Sequence, residues 1–128
     1  MKQNLSRVGA LAFIAFFITI VIIADRGEGD RWWAFIHEIP FGDKLGHLVL
    51  IGTLGLLCNL AIRPRRVSFL PRLVTRTTLV LFVLLSLEEL AQALLPNRTC
   101  DFFDWVADIA GLTIGQFLAA RLRARFFH

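Results

Sequence analysis

Four stretches of the chain are apolar for about the length a bilayer demands, and the polar positions fall between them or near their ends. A hydrocarbon core of about 30 Å takes about 20 apolar residues in a helix. Residues 8–24 (VGALAFIAFFITIVIIA) carry no charge. Residues 45–62 are interrupted by His47 and Asn59, and residues 77–95 run clean until Glu88, Glu89 and Gln92. Residues 102–120 carry Asp104 and Asp108 near their start. The pattern predicts an all-α integral membrane protein, a four-helix bundle forming one domain over 1–128.

Composition points the same way. Of 128 residues, 56% are hydrophobic and 19% charged, against about 45–50% and about 25% in soluble domains. That excludes a disordered chain and argues against a soluble enzyme. Lys2 and Arg7 ahead of the first apolar run also fit a secretory signal. The run is longer than a signal core, however, and a cut after Ala24 would leave Ile22 where a small residue is wanted, so an uncleaved span is expected. Net charge is +4. Long apolar stretches separate the basic residues and no groove-reading motif appears, so nucleic acid is not the expected partner.

The basic residues instead set an orientation. Lys2, Arg7, Arg63, Arg65, Arg66, Arg72, Arg76, Arg121, Arg123 and Arg125 flank one side of the spans, and Arg26, Arg31, Lys44 and Arg98 the other. By the positive-inside rule both termini and the 63–76 loop are cytoplasmic, as expected for a multi-pass protein of a cell membrane. All ten acids then lie outside or in the outer ends of spans. In the first external loop, Asp30 is placed to cap a short interfacial helix, RWWAFIHEI, stopped by Pro40 and Gly42. Its aromatics, with Trp105 on the fourth span, read as a headgroup belt or as a surface giving lipid access to a polar site. His37 reads as a solvated loop residue. Cys58 and Cys100 fall about 20 Å apart in depth, too far for a disulfide, and neither sits in a metal motif.

Three stretches bring polar residues to a common depth near the outer surface. Asp43, Lys44 and His47 open the second span, and Asp43 and His47 share a helix face. Glu89 and Gln92 share a face at the end of the third, with Ser86 one turn deeper. Asp101, Asp104, Asp108, Gly111 and Gly115 follow at spacings of 3, 4, 3 and 4, a continuous stripe on one face of the fourth. Its acidic part and its small-residue part, Gly111 and Gly115, therefore face the same interior, where small residues let another helix approach. Arg98 follows Pro96 in the loop above. Charges inside spans are costly. Asp43, Glu88, Glu89, Asp101, Asp104 and Asp108 face only Lys44 and Arg98 as fixed cations. A shared proton, a charged His47 or a bound cation would balance them.

The ordered set Asp43-Lys44-His47, Glu89-Gln92, Pro96-Arg98, Asp101-Asp104 and Gly111-Gly115 resembles the VanZ-like family over roughly residues 40–120. That family often has Asn where this chain has Asp108. The resemblance implies a bacterial cell-envelope protein of the cell (inner) membrane, and its namesake is associated with low-level resistance to teicoplanin. It supplies no settled reaction.

Two function classes follow. One is a membrane enzyme acting on a lipid-linked or cell-wall precursor. There His47 is general base or acid, oriented by Asp43 or Asp104, and Glu89 or Asp108 is the second proton-transfer group. Lys44 and Arg98, supported by Asp43, Gln92 and Asp101, bind an anionic group. Ser86 lacks a base at helical spacing, so covalent catalysis is not expected. The other class is a non-enzymatic protein that holds a lipid headgroup, or that assembles with a second copy or an envelope enzyme, its polar cluster acting as a structural ion-pair network. No cofactor is expected. A divalent cation on the carboxylates is the variant of either class that the ligand types allow.

Overall fold

The computed structural model describes residues 2–65, 74–96 and 101–126, apart from the side chains of Asp30 and His37. The described residues form five helices: α1 Lys2–Asp25, α2 Gly29–His37, α3 Gly42–Ala61, α4 Arg76–Gln92 and α5 Phe102–Phe126. Three of them, α1, α3 and α5, are long and apolar enough to cross a membrane. The 45–62 and 102–120 stretches thus grow into longer helices, while 77–95 becomes shorter.

Each boundary has a local cause. α3 begins at Gly42 rather than Leu45, after a tight turn in which Phe41 adopts a left-handed φ of 58°. Gly42 lies so close to the Ile36 carbonyl that no Cβ fits there. α3 ends at Ala61 because the residue before Pro64 is driven out of helical geometry. Ala93 and Leu94 turn ahead of Pro96, so α4 stops at Gln92. α5 runs on through Arg121, Arg123 and Arg125, which favour a helix C-terminus.

The short helix in the first loop is present but not as expected. Its N-cap position is Glu28, without a side-chain cap, and Asp30 lies inside the helix instead of capping it. Trp33 breaks it with φ −136° and ψ 34°.

The long helices alternate in direction. Gln3 Nε2 at the start of α1 donates to the Leu60 and Ala61 carbonyls at the end of α3, and Lys2 Nζ donates to the carbonyl of Phe126 at the end of α5. At the opposite end Glu89 of α4 reaches Asp101 before α5. One end of the molecule therefore gathers the N-termini of α1 and α4 with the C-termini of α3 and α5, and carries Lys2, Arg7, Arg63, Arg65, Arg76 and Arg123. The other gathers the acids.

The α3–α5 pair is the centre of the fold, with α1 packed on α3 and α4 on α5 and α3. In lipid, apolar surface gains little by meeting apolar surface, so association depends on close packing. A Cβ on Gly111 would stand 2.9 Å from both the Gly52 nitrogen and the Leu48 carbonyl oxygen. One on Gly115 would run into the Gly52 carbonyl. The backbones touch because those side chains are absent. Ile51, Leu54, Leu85 and Leu112 close the core around this contact. Thr19, Thr53 and Thr113 face outward, and each returns its hydroxyl hydrogen bond to the carbonyl four residues back. Polar positions in apolar helices are satisfied in this way without a partner helix.

Candidate functional site

The site lies at the acidic end of the α3–α5 contact, one turn beyond Gly111. Asp101 Oδ1 accepts from the Phe103 backbone N–H at 2.9 Å and so caps the start of α5. Asp104 and Asp108 follow on the same face, directed at the first two turns of α3. The last turns of α4 present Leu85, Glu89 and Gln92 as one buried stripe. Three helix ends thus converge, each through spacings of three or four residues.

Two contacts organise the cluster. Lys44 Nζ lies 2.8 Å from Asp101 Oδ2 and 3.2 Å from Asp104 Oδ1. His47 Nδ1 lies 2.9 Å from Asp108 Oδ1, while its Nε2 is 3.8 Å from Asp104 Oδ2, beyond hydrogen-bond range. Asp108 is 5% exposed and sits beneath the ring. A carboxylate accepts, so this contact places a proton on His47 Nδ1, while Nε2 faces Asp104 without a hydrogen bond.

Glu89, 4% exposed, closes the other wall. Its Oε1 accepts the Asp101 backbone N–H at 2.9 Å. Its Oε2 is buried with no hydrogen-bond partner among the described residues. Such an oxygen is costly unless a proton of its own or a donor on a bound group satisfies it. Lys44, and then the Phe103 N–H, hold the Asp101 carboxyl below its ordinary value by hydrogen bonding to the charged form. Among the described residues no three His, Cys, Asp or Glu side chains stand as a metal-binding group.

The structure therefore brings together Lys44, His47, Glu89, Asp101, Asp104 and Asp108. It changes several expected pairings. The carboxylate closest to His47 is Asp108 of α5, not Asp43, because α5 crosses directly over the His47 face of α3. Asp43 is exposed on the outer turn. The Lys44 ammonium is engaged by two carboxylates of the chain itself. Gln92 is 2% exposed and donates to Glu88 Oε2 at 2.6 Å. Ser86 accepts from the indole N–H of Trp105 at 2.9 Å. Trp105 packs its ring on Phe82 and Phe102, half-buried between α4 and α5. Arg98 and Cys100 lie outside the described residues. Cys58 is a buried free thiol. Gly111 and Gly115 are buried at the α3 contact, where their spacing put them.

A second polar cluster, at the opposite end, is not evident from the sequence. Thr75, the N-cap of α4, donates its hydroxyl to Asn59 Oδ1 at 2.7 Å and its backbone N–H to Gln116 Oε1 at 3.0 Å. Asn59 Nδ2 donates to the Gly55 carbonyl and to Thr78 Oγ1. Three helices are tied by one buried network. Asn59 and Gln116, each an amide inside an apolar run, were the signal that could have found it. Nearby, Arg123 Nη2 donates to the carbonyls of Asn59, Leu60 and Ile62, which α3 leaves unpaired at its end.

An apolar helical array with membrane-length helices and a part-buried carboxylate–histidine–lysine cluster is a membrane protein, and Lys44, His47, Glu89, Asp101 and Asp104 of that cluster belong to the motif that carried the family resemblance. The VanZ/LLP1 family model matches residues 3–123, nearly the whole chain, and the chain belongs to that family. Searches of curated proteins and of solved structures each found no match.

Proposed function

We propose that this VanZ/LLP1 protein spans a bacterial cell membrane four times, with both termini cytoplasmic, and that its outer polar cluster performs proton transfer on a lipid-linked envelope precursor. At about 1.5 Å per residue, α4 at 17 residues spans about 25 Å and serves as the fourth span. The gathering of arginines at one end supports the orientation, and the exposed aromatics Trp32 and Phe35 suit α2 to the headgroup layer.

The observation that carries the reading is the His47–Asp108 dyad. A buried carboxylate fixes the ring through Nδ1 and leaves Nε2 without a hydrogen bond, the arrangement a general base needs. Glu89, with one unpartnered oxygen, is the second proton-handling group, and Asp104 faces the Nε2 side. Lys44 and Asp101 hold the start of α5 in place. The masses of substrate that suit such a site are polar headgroups presented from the outer leaflet.

The test is complementation of a deletion strain by His47→Gln, Asp108→Asn and Glu89→Gln, with membrane abundance, lipid-linked precursor pools and teicoplanin susceptibility read together. Loss of complementation at normal abundance is the expected result. Full complementation by all three removes the proton-transfer role.

The closed Lys44–Asp101–Asp104 triad favours a second reading, in which the cluster only fastens α3 to α5 and the protein holds a lipid headgroup or assembles with a second copy or an envelope enzyme. In that case Lys44→Met and His47→Gln lower abundance together, since each leaves a carboxylate of α5 without its partner.

A further inference from the structure

At the basic end an open groove of about 640 Å³ lies between α1, the end of α3 and the start of α4. Arg7, Arg63, Arg65 and Arg76 stand around it. They come from three separate parts of the chain. The backbone N–H of Arg76 donates to the carbonyl of Arg65 at 2.7 Å, which draws two of them together. Among the described residues none of the four has a side-chain hydrogen bond or an acidic partner, and every acid of the described chain belongs to the other end.

The groove is also amphiphilic along its length. Arg7, Ala10, Leu11 and Ile14 lie on one face of α1 at spacings of 3, 1 and 3, and all four line it. From Arg7 the face descends about 10 Å to Ile14, toward the middle of the helix. Across from it are Cys58 and Ala61 of α3. Among the described residues α1 packs chiefly on α3, and the groove runs between it and the start of α4.

We propose that this groove binds an anionic phospholipid, its phosphate among the four guanidiniums and one acyl chain along Ala10, Leu11 and Ile14. Guanidinium groups pair with phosphate oxygens through two parallel hydrogen bonds. Clustered arginines at a membrane surface attract anionic lipid. A zwitterionic lipid carries its own cation beside the phosphate and adds no net negative charge to the four guanidiniums, and a soluble anion would leave the apolar wall uncovered. The site is independent of the His47 cluster at the other end.

The experiment uses the full chain purified in detergent, delipidated and titrated with phosphatidylglycerol, phosphatidylcholine and glycerol 3-phosphate, with bound lipid counted by native mass spectrometry. Phosphatidylglycerol is expected to bind at least tenfold tighter than phosphatidylcholine. Arg63→Gln with Arg76→Gln should weaken it about 30-fold, equivalent to about 2 kcal/mol for two surface charges. Arg121→Gln with Arg125→Gln removes the same charge at the same end but outside the groove, and should change binding less than about 3-fold. Leu11→Trp fills the apolar wall and should weaken lipid binding with every arginine in place. Equal affinity for the two lipids, or equal losses in the two double variants, overturns the proposal in favour of unspecific surface charge. Competition by glycerol 3-phosphate that Leu11→Trp does not alter overturns it in favour of a free anion.

Discussion

Replacing Gly115 by Ala tests the contact on which both the fold and the candidate site depend. The added methyl would meet the Gly52 carbonyl oxygen and stand 2.7 Å from the Leu56 nitrogen, both backbone atoms that no rotamer change can move. Relief to ordinary contact requires α3 and α5 to part by about 1 Å. Overpacking of this kind costs about 1–3 kcal/mol, against which alanine recovers up to about 1 kcal/mol of helix preference. A net loss of about 1–2 kcal/mol is expected. Gly46 supplies the control, because it lies on the partner helix α3 and a Cβ there meets nothing within 4 Å. Gly46→Ala should be neutral or gain up to about 1 kcal/mol. The assay is reversible unfolding in mixed detergent–SDS micelles, followed by tryptophan fluorescence, with Trp105 packed between α4 and α5 as reporter. Equal stability of the two variants would refute the argument that backbone contact at Gly115 holds the pair. Gly111→Ala extends the test to the site, since Gly111 is one turn from Asp108 and its methyl would press on the Leu48 carbonyl beside His47. It should lower complementation along with stability.

Arg123→Ala should cost about 1–3 kcal/mol in the same unfolding assay, because three carbonyls at the end of α3 lose a charged donor, and Arg123→Lys should restore part of it. Asn59→Leu should destabilise by a similar amount, leaving the Thr75 hydroxyl and the Thr78 side chain without their buried partner, while the double change with Thr75→Val should cost less than the sum of the two singles. The Asp101 carboxyl titrates below its ordinary value near 3.8, so its contribution is complete above that value and is lost as pH falls through the lower folded one. Melting curves across this acid range should fall less steeply for Lys44→Met than for the wild type, and identical slopes would show that Lys44 is not the cause.

How much of this was legible beforehand follows from what kind of information each feature needs. Run length and the 3.6-residue repeat are properties of neighbouring positions. They gave α1, α3 and α5, with α1 starting six residues earlier and α5 running six further than the apolar runs, the placement of arginines at one end and acids at the other, and the Asp104–Asp108–Gly111–Gly115 stripe. They also marked Lys44, His47, Glu89 and Asp104 as belonging to one depth. Boundaries shifted where a turn took over, as at Phe41–Gly42 and before Pro96. Asp30 failed as a cap because α2 starts earlier, at Gly29.

Pairing was a different matter. His47 and Asp108 are 61 positions apart, and Thr75 and Gln116 are 41 apart. Which carboxylate reaches the imidazole depends on the rotation and offset of α5 on α3, and those are set by where glycine lets the two backbones touch. Asp43 satisfied the helix-face rule as well as any acid did, and was displaced by a residue that only close packing brings near. The linear sequence determined which segments are helical, which way each runs and which face carries charge, because these depend on local spacing. The tertiary structure decided who meets whom, because contact across helices is fixed by their mutual fit and not by distance along the chain.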